Sequence, residues 1–302
     1  MRVALSLSSD QQTTATAASE AEASGFDAVA SGEHLFFHGP TGNAFISLAA
    51  AAGATTRIRL ISSLTVLPLY QAVIAIKLAT SLDQVSAGRF DFGVGVGGEF
   101  PPEFRAAGID RRTRGARTDE ALELARRLWS DTQVTHHGRF FDVPGLTLEP
   151  GPVQPGGPPV WIGGRSTAAM RRAGRHADVW LPYMFTPEQL AESLTVVRAE
   201  AERVDRDPAQ IRAAVFCFGS VNEDAARARR DAVQGVSSIY QQDFERLADR
   251  YLLHGTPTDV LNRALEYRAA GAETLVLAPV PGPGRADTVE TFASEVLPHL
   301  QR

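Results

Sequence analysis

The sequence predicts a (β/α)8 TIM barrel on three observations: eight short apolar runs, helix-like segments between them, and capping residues at the junctions. The runs lie at residues 3–7, 28–30, 59–64, 90–94, 160–162, 179–181, 213–219 and 274–277. They are mostly apolar without strict alternation and often flanked by glycine, as expected of parallel strands buried on both faces. Eight strand–helix alternations in 302 residues point to a closed barrel. An open doubly wound sheet is the structural competitor.

The intervening segments carry helical periodicity. Ile74, Leu78, Leu82 and Val85 fall on one face, as do Leu122, Ala125 and Leu128; Leu190, Leu194 and Val197 repeat the pattern, and so do Leu261, Ala264 and Leu265. Thr186-Pro187-Glu188-Gln189 reads as a capping box with proline at the first helical position. Thr256 and Ser166 read as further N-caps, and Gly25, Gly53 and Gly271 as left-handed residues closing Ala-rich helices. One stretch departs from the rhythm. Residues 131–159 show a hairpin-like alternation around His136-His137 and then a Pro/Gly-rich loop, so they read as an insertion between the fourth helix and the fifth strand. Residues 1–302 are therefore expected to form one barrel domain.

Composition narrows the partners. The chain is 44% hydrophobic and 22% charged, with a net charge of −5, and no basic cluster is interleaved with aromatics, which argues against nucleic acid. No apolar stretch reaches the roughly 20 residues a membrane helix needs. The first residues lead straight into a strand with no basic region or cleavage site, so a cytoplasmic enzyme is the default expectation. The single cysteine, Cys217, sits in an apolar run and reads as a buried, inert thiol.

Three motifs carry chemistry. Gly93-Val-Gly95-Val96-Gly97-Gly98 has dinucleotide-loop spacing, but Pro101-Pro102 follows and argues for a loop in place of the helix that a dinucleotide fingerprint needs. What remains is a backbone able to approach a flat ligand. Ser31-Gly32-Glu33-His34 follows the second strand, at the barrel end where catalytic groups sit; His34 can exchange a proton near neutral pH and Glu33 can tune it. The bland alternative is a surface-loop histidine. Gly163-Gly164-Arg165-Ser166 opens a helix, where free N–H groups, the positive dipole end and a guanidinium suit a phosphate. Its bland alternative is a turn with Ser166 as N-cap. His136 and His137 are adjacent on a strand, face opposite ways and so cannot chelate together; no metal is expected, and both read as exposed hairpin residues. Arg- and Glu-rich residues 111–127 read as a solvated helix face.

Taken together, the chain resembles the luciferase-like monooxygenase superfamily, in its branch of deazaflavin (coenzyme F420)-dependent oxidoreductases. The resemblance runs from Gly25-Phe-Asp-Ala-Val-Ala-Ser-Gly-Glu-His34 through Leu64-Thr-Val-Leu-Pro68, Lys77–Asp83 and Ser86–Gly97. It continues through Arg114-Gly115, Asp119–Leu124, Leu128-Trp129, Trp161–Gly164, Ala177–Trp180 and Gly271–Leu277, in order along almost the whole chain.

The resemblance implies that His34, with Glu33, is the acid/base dipeptide. It implies that Ser62, Ser63 and Leu64 form the third-strand bulge, where relatives often hold a non-prolyl cis peptide behind the cofactor ring. Gly95, Val96 and Gly97 would line the ring's edge, and Gly163, Gly164, Arg165 and Ser166 would hold the cofactor phosphate. The implied activity is hydride transfer between F420 and a small organic substrate. The cavity's far wall is expected from residues 131–159 and the loop after Ala278. Alternatives are an FMN-dependent two-component monooxygenase and a barrel that binds flavin without catalysis. Dimers are common among relatives, which makes a homodimer an expectation. In glucose-6-phosphate-oxidising relatives an acidic residue directly follows the fourth-strand glycines, whereas here Gly98 intervenes before Glu99. Those relatives also have an aromatic where this chain has His38, so sugar-phosphate oxidation is not expected.

Overall fold

The computed structural model describes residues 1–301. Eight parallel strands close into a ring: β1 (Arg2–Ser6), β2 (Ala28–Ser31), β3 (Arg59–Ser62), β4 (Phe90–Gly95), β5 (Val160–Gly163), β6 (Val179–Leu181), β7 (Arg212–Val221) and β8 (Ala272–Pro279). Each pairs with its sequence neighbours, and β8 returns to β1 through Arg2 opposite Thr274, which closes the ring. All eight expected strands are present, and the ring is closed, which removes the open-sheet alternative.

Strand alternation sorts the side chains. The lumen holds Ala4, Ala28, Ala30 and Ala214 around the buried indole of Trp161. Small residues on three strands make room for one large ring from a fourth, a volume complementarity that close packing requires. The outward-facing residues, such as Val3, Val29, Leu60, Phe90 and Phe92, meet the helices in one continuous core.

Those helices are α1 (Thr14–Ala23), α2 (Ala44–Ala54), α3 (Ala72–Val85), α4 (Arg114–Ser130), α5 (Thr167–His176), α6 (Pro187–Arg203), α7 (Ala225–Tyr240), α8 (Pro257–Ala269) and α9 (Arg285–Thr291). Thr186 and Thr256 form capping boxes with Gln189 and Asp259, and Ser166 accepts from the Ala169 N–H. Gly25 and Gly271 take positive φ as expected. Gly53 does not; α2 continues through it to Ala54.

Residues 131–159 form a hairpin, Val134–His137 against Asp142–Leu146, followed by an irregular run. They do not build the far wall of the cavity. Buried Asp83 accepts from the N–H groups of Val153 and Gln154, and the Gln154 amide donates to the Phe90 carbonyl. These contacts hold the run beside the start of β4, at the end of the barrel away from the cavity. The histidines do face opposite ways, His136 toward Glu120 at 3.3 Å and His137 toward Asp142 at 2.6 Å. His136 is half-buried, however, because Glu120 also accepts from the Phe140 and Phe141 N–H groups and clamps the hairpin onto α4. The charges of residues 111–127 are likewise engaged: Asp119 pairs with Arg172 and Arg126 with Asp178.

Candidate active site

A cavity of about 510 Å³ opens at the C-terminal ends of the strands. Glu33 and His34 reach it from β2, Ser63 and Leu64 from β3, Gly95, Val96 and Gly97 from β4, and Gly163 to Ser166 from β5. Leu181 at the end of β6, Tyr183 just after it, and Phe216 and Phe218 on β7 complete the barrel side. The far wall comes from Ile239 and Tyr240 at the end of α7 and from Phe37 after β2. No residue of 131–159 or of the loop after Ala278 lines it. α7 was not among the expected elements; its buried face is made of Ala228, Ala232, Gly235 and Val236.

Ser62 is the one expected site residue outside the wall. Its hydroxyl is fully buried, accepting from the Gly93 N–H at 2.8 Å and donating to the Gly93 carbonyl at 2.9 Å, and so ties β3 to β4. The Ser63–Leu64 peptide that follows is cis. Packing gives the glycines opposite a physical reason of their own, besides the approach of a flat ligand. A Cβ at Gly93 would lie 1.7 Å from the Ser62 carbonyl oxygen, and one at Gly97, where φ is +58°, would lie 2.6 Å from Val66. Close packing of the bulge against β4 excludes side chains there.

His34 is held by a partner that the sequence did not reveal. Its Nδ1 lies 3.2 and 3.3 Å from the two carboxylate oxygens of Glu103, which is fully buried. An ionised Glu103 can only accept, an arrangement that puts the proton on Nδ1; Nε2, at the other edge of the ring, lies 4.0 Å from Glu99. Glu103 sits on a short helix, Pro101–Ala106, with both prolines in its first turn. Pro101-Pro102, expected to enforce a loop, instead starts a helix, because first-turn N–H groups need no intrahelical partner. Phe37 stacks on the imidazole with ring centres 4.3 Å apart.

Glu33 makes no hydrogen bond to the His34 ring. One oxygen accepts from Asn43, Tyr70 and the Ala44 N–H at the start of α2, and the other accepts from the Val66 N–H. Burial pushes its carboxyl above the usual carboxylate range, opposed by the Ala44, Tyr70 and Val66 donors and the nearby His34. Glu33 is thus a clamp joining the β2 loop to β3 and α2.

At the opposite rim, Ser166 caps α5 while the loop before it is fixed by the Trp180 indole, which donates to the Gly164 carbonyl at 3.0 Å. The Arg165 guanidinium lies 5.3 Å over the Tyr183 ring. The Tyr183 hydroxyl hydrogen-bonds Glu99 across the mouth, and burial followed by that carboxylate keeps the phenol protonated well beyond its usual range. Two wall atoms are buried without a protein partner, Ser63 Oγ and Arg114 Nε. A hydroxyl beside the β3 bulge and a guanidinium nitrogen fit a group with a polar-edged ring and a phosphate. Among the described residues, no group of three or more His, Cys, Asp or Glu side chains is placed to hold a metal ion, and no helix is long and apolar enough to cross a membrane.

The family model described as luciferase-like monooxygenase matches residues 2–274. The chain belongs to this family. An FMNH2-dependent dimethylsulfone monooxygenase of Pseudomonas putida is 26% identical over 280 residues, covering 82% of this chain and 76% of that protein. An F420-dependent glucose-6-phosphate dehydrogenase of Kineococcus radiotolerans is 25% identical over 311 residues, covering 93% and 91%. Among solved structures, an F420-dependent secondary alcohol dehydrogenase bound to an F420–acetone adduct shares the barrel with a TM-score of 0.89 at 20% identity, covering 100% and 99%. The first curated relatives, uncharacterised mycobacterial proteins 32% identical over 162 residues, are matched over only 55% of their own length. Members of the luciferase-like family related to this chain thus include both flavin- and deazaflavin-dependent enzymes.

Proposed function

We propose that the chain is an F420-dependent oxidoreductase that transfers hydride between the deazaflavin and a small organic substrate. The observation that carries this reading is the Glu103–His34 pair, in which the buried carboxyl backs an imidazole that lines the cavity where a substrate oxygen can be reached. When bound, the deazaflavin supplies two-electron chemistry, taking a hydride from a carbinol carbon or returning one to a carbonyl carbon. Gly163 to Ser166 and Arg165 would hold its phosphate at the start of α5, and Ser63, Leu64 and Gly95 to Gly97 would flank its ring.

The chain's own contribution is positional and acid–base. His34 accepts the hydroxyl proton of an alcohol at Nε2, or donates it to the oxygen of a carbonyl compound. Glu103 fixes the imidazole's tautomer and stabilises its cationic form, as a carboxylate does behind other catalytic histidines. Glu103 is therefore a positioning residue, and Glu33 holds the loop that carries His34. The aromatic wall excludes water from the reacting atoms.

The test is turnover with F420 and a panel of secondary alcohols and ketones, following deazaflavin absorbance. Reduction or oxidation of F420 that requires the organic substrate and consumes no oxygen is expected. Substrate-dependent oxygen uptake with reduced FMN, and none of this F420 activity, would assign the chain to the monooxygenase alternative.

A further inference from the structure

We propose that the end of α7, β7 and the loop after β2 form an aromatic substrate pocket for a hydrophobic alcohol or carbonyl compound bearing a ring or bulky alkyl group. The inference rests on the proposed function, which places acid–base chemistry at His34, and it names the class of molecule brought there.

The pocket is a connected path of rings. Phe216 and Phe218 are two apart on β7 and so share a face; both line the cavity, with centres 5.1 Å apart and planes at 75°. Tyr240, the last residue of α7, stands edge-on to Phe218 at 5.9 Å and to Phe37 at 6.1 Å, with planes at 89° in both pairs. Phe37 in turn stacks on His34. The path therefore begins at the imidazole, passes through Tyr240 on α7 and ends at Phe216 on β7, with Ile239 adding an aliphatic patch.

Polar chemistry is distributed unevenly around the cavity. The acidic, basic and imidazole side chains of the lining, Glu33, His34, Glu99, Arg114 and Arg165, come from the β2, β4 and β5 sides, and none comes from β7 or α7. Among the described residues, the Tyr240 hydroxyl has no hydrogen-bond partner. Burial, followed by Tyr183 and Glu99, raises its ionisation far above the usual phenol range, so it remains a donor. A ring or branched alkyl body matches the aromatic walls, with Tyr240 as one donor for a polar substituent. A sugar phosphate would leave several hydroxyls and a dianion facing rings, which costs more than the rings return.

Calorimetric titration of cyclohexanone, acetone and glucose 6-phosphate into protein loaded with oxidised F420 tests this. Cyclohexanone is expected to bind roughly tenfold or more tightly than acetone, from its additional buried methylenes, and glucose 6-phosphate not measurably. Tyr240→Ala should abolish most of that preference while the F420 dissociation constant stays within about twofold; Tyr240→Phe should keep the preference. Phe37→Ala is the second variant, with thermal unfolding checked for each. Equal binding of the two ketones, tighter binding of the sugar phosphate, or a preference that survives both alanine variants would overturn the proposal. If F420 does not bind, the cofactor reading fails, and the same titrations on FMN-loaded or cofactor-free protein still decide the pocket.

Discussion

Replacing His34 should cost far more stability than replacing its partner. Glu103 is fully buried, and among the described residues the only hydrogen-bonding contacts of its carboxyl group are to His34 Nδ1 at 3.2 and 3.3 Å. His34→Ala leaves an unpaired carboxylate in the interior, a change that typically costs about 3–5 kcal/mol. Glu103→Leu removes the carboxylate itself. The imidazole, 19% exposed, can then turn to water, so the cost should be about 1 kcal/mol. The double variant should resemble Glu103→Leu alone, giving a coupling energy of about 3–5 kcal/mol in magnitude. Urea unfolding of the four proteins without cofactor, compared at unchanged denaturant slope, measures it. Additive losses, or a His34→Ala penalty below about 1 kcal/mol, would refute the buried pair as the device that holds His34.

Two further outcomes follow from the same structure. Arg165→Ala should weaken cofactor binding by about 1.5–3 kcal/mol, the scale of a charge-assisted hydrogen bond, and an unchanged dissociation constant would remove Arg165 from the site. His176, at the end of α5, is held down to about 4 from 6.5 by burial, with Arg172, Arg206 and Arg175 adding to the effect and Asp119 opposing it. The unfolded chain therefore binds the extra proton first, and stability falls as pH drops from 6.5 toward 4, by up to about 3 kcal/mol. His176→Asn should flatten that part of the stability–pH curve, and an unaltered slope would show that other groups cause it.

The barrel was legible because strand identity depends on local apolar runs, and all eight are present where the sequence placed them. Thr186 and Ser166 were legible as caps for the same local reason. What escaped depended on distance or on packing. Glu103 lies 69 positions from His34, and the two prolines before it obscured the short helix that brings them together. Glu33 follows the usual grammar of an acid beside a histidine, yet neighbours on a chain need not point at one another; the Ala44 and Val66 N–H groups claimed it. Ser62 adjoins the cavity in sequence but is spent on joining two strands. The far wall was assigned to the most irregular stretch, residues 131–159, whereas it is built by the end of α7 and by Phe37, brought together across about 200 positions of chain.

The most direct test of the cofactor assignment is a pair of equilibrium titrations of the purified protein, one with F420 and one with FMN. Saturable binding of one F420 per chain, about tenfold or more tighter than FMN, is the expected result. Tight, stoichiometric binding of FMN with no detectable F420 binding would contradict the account.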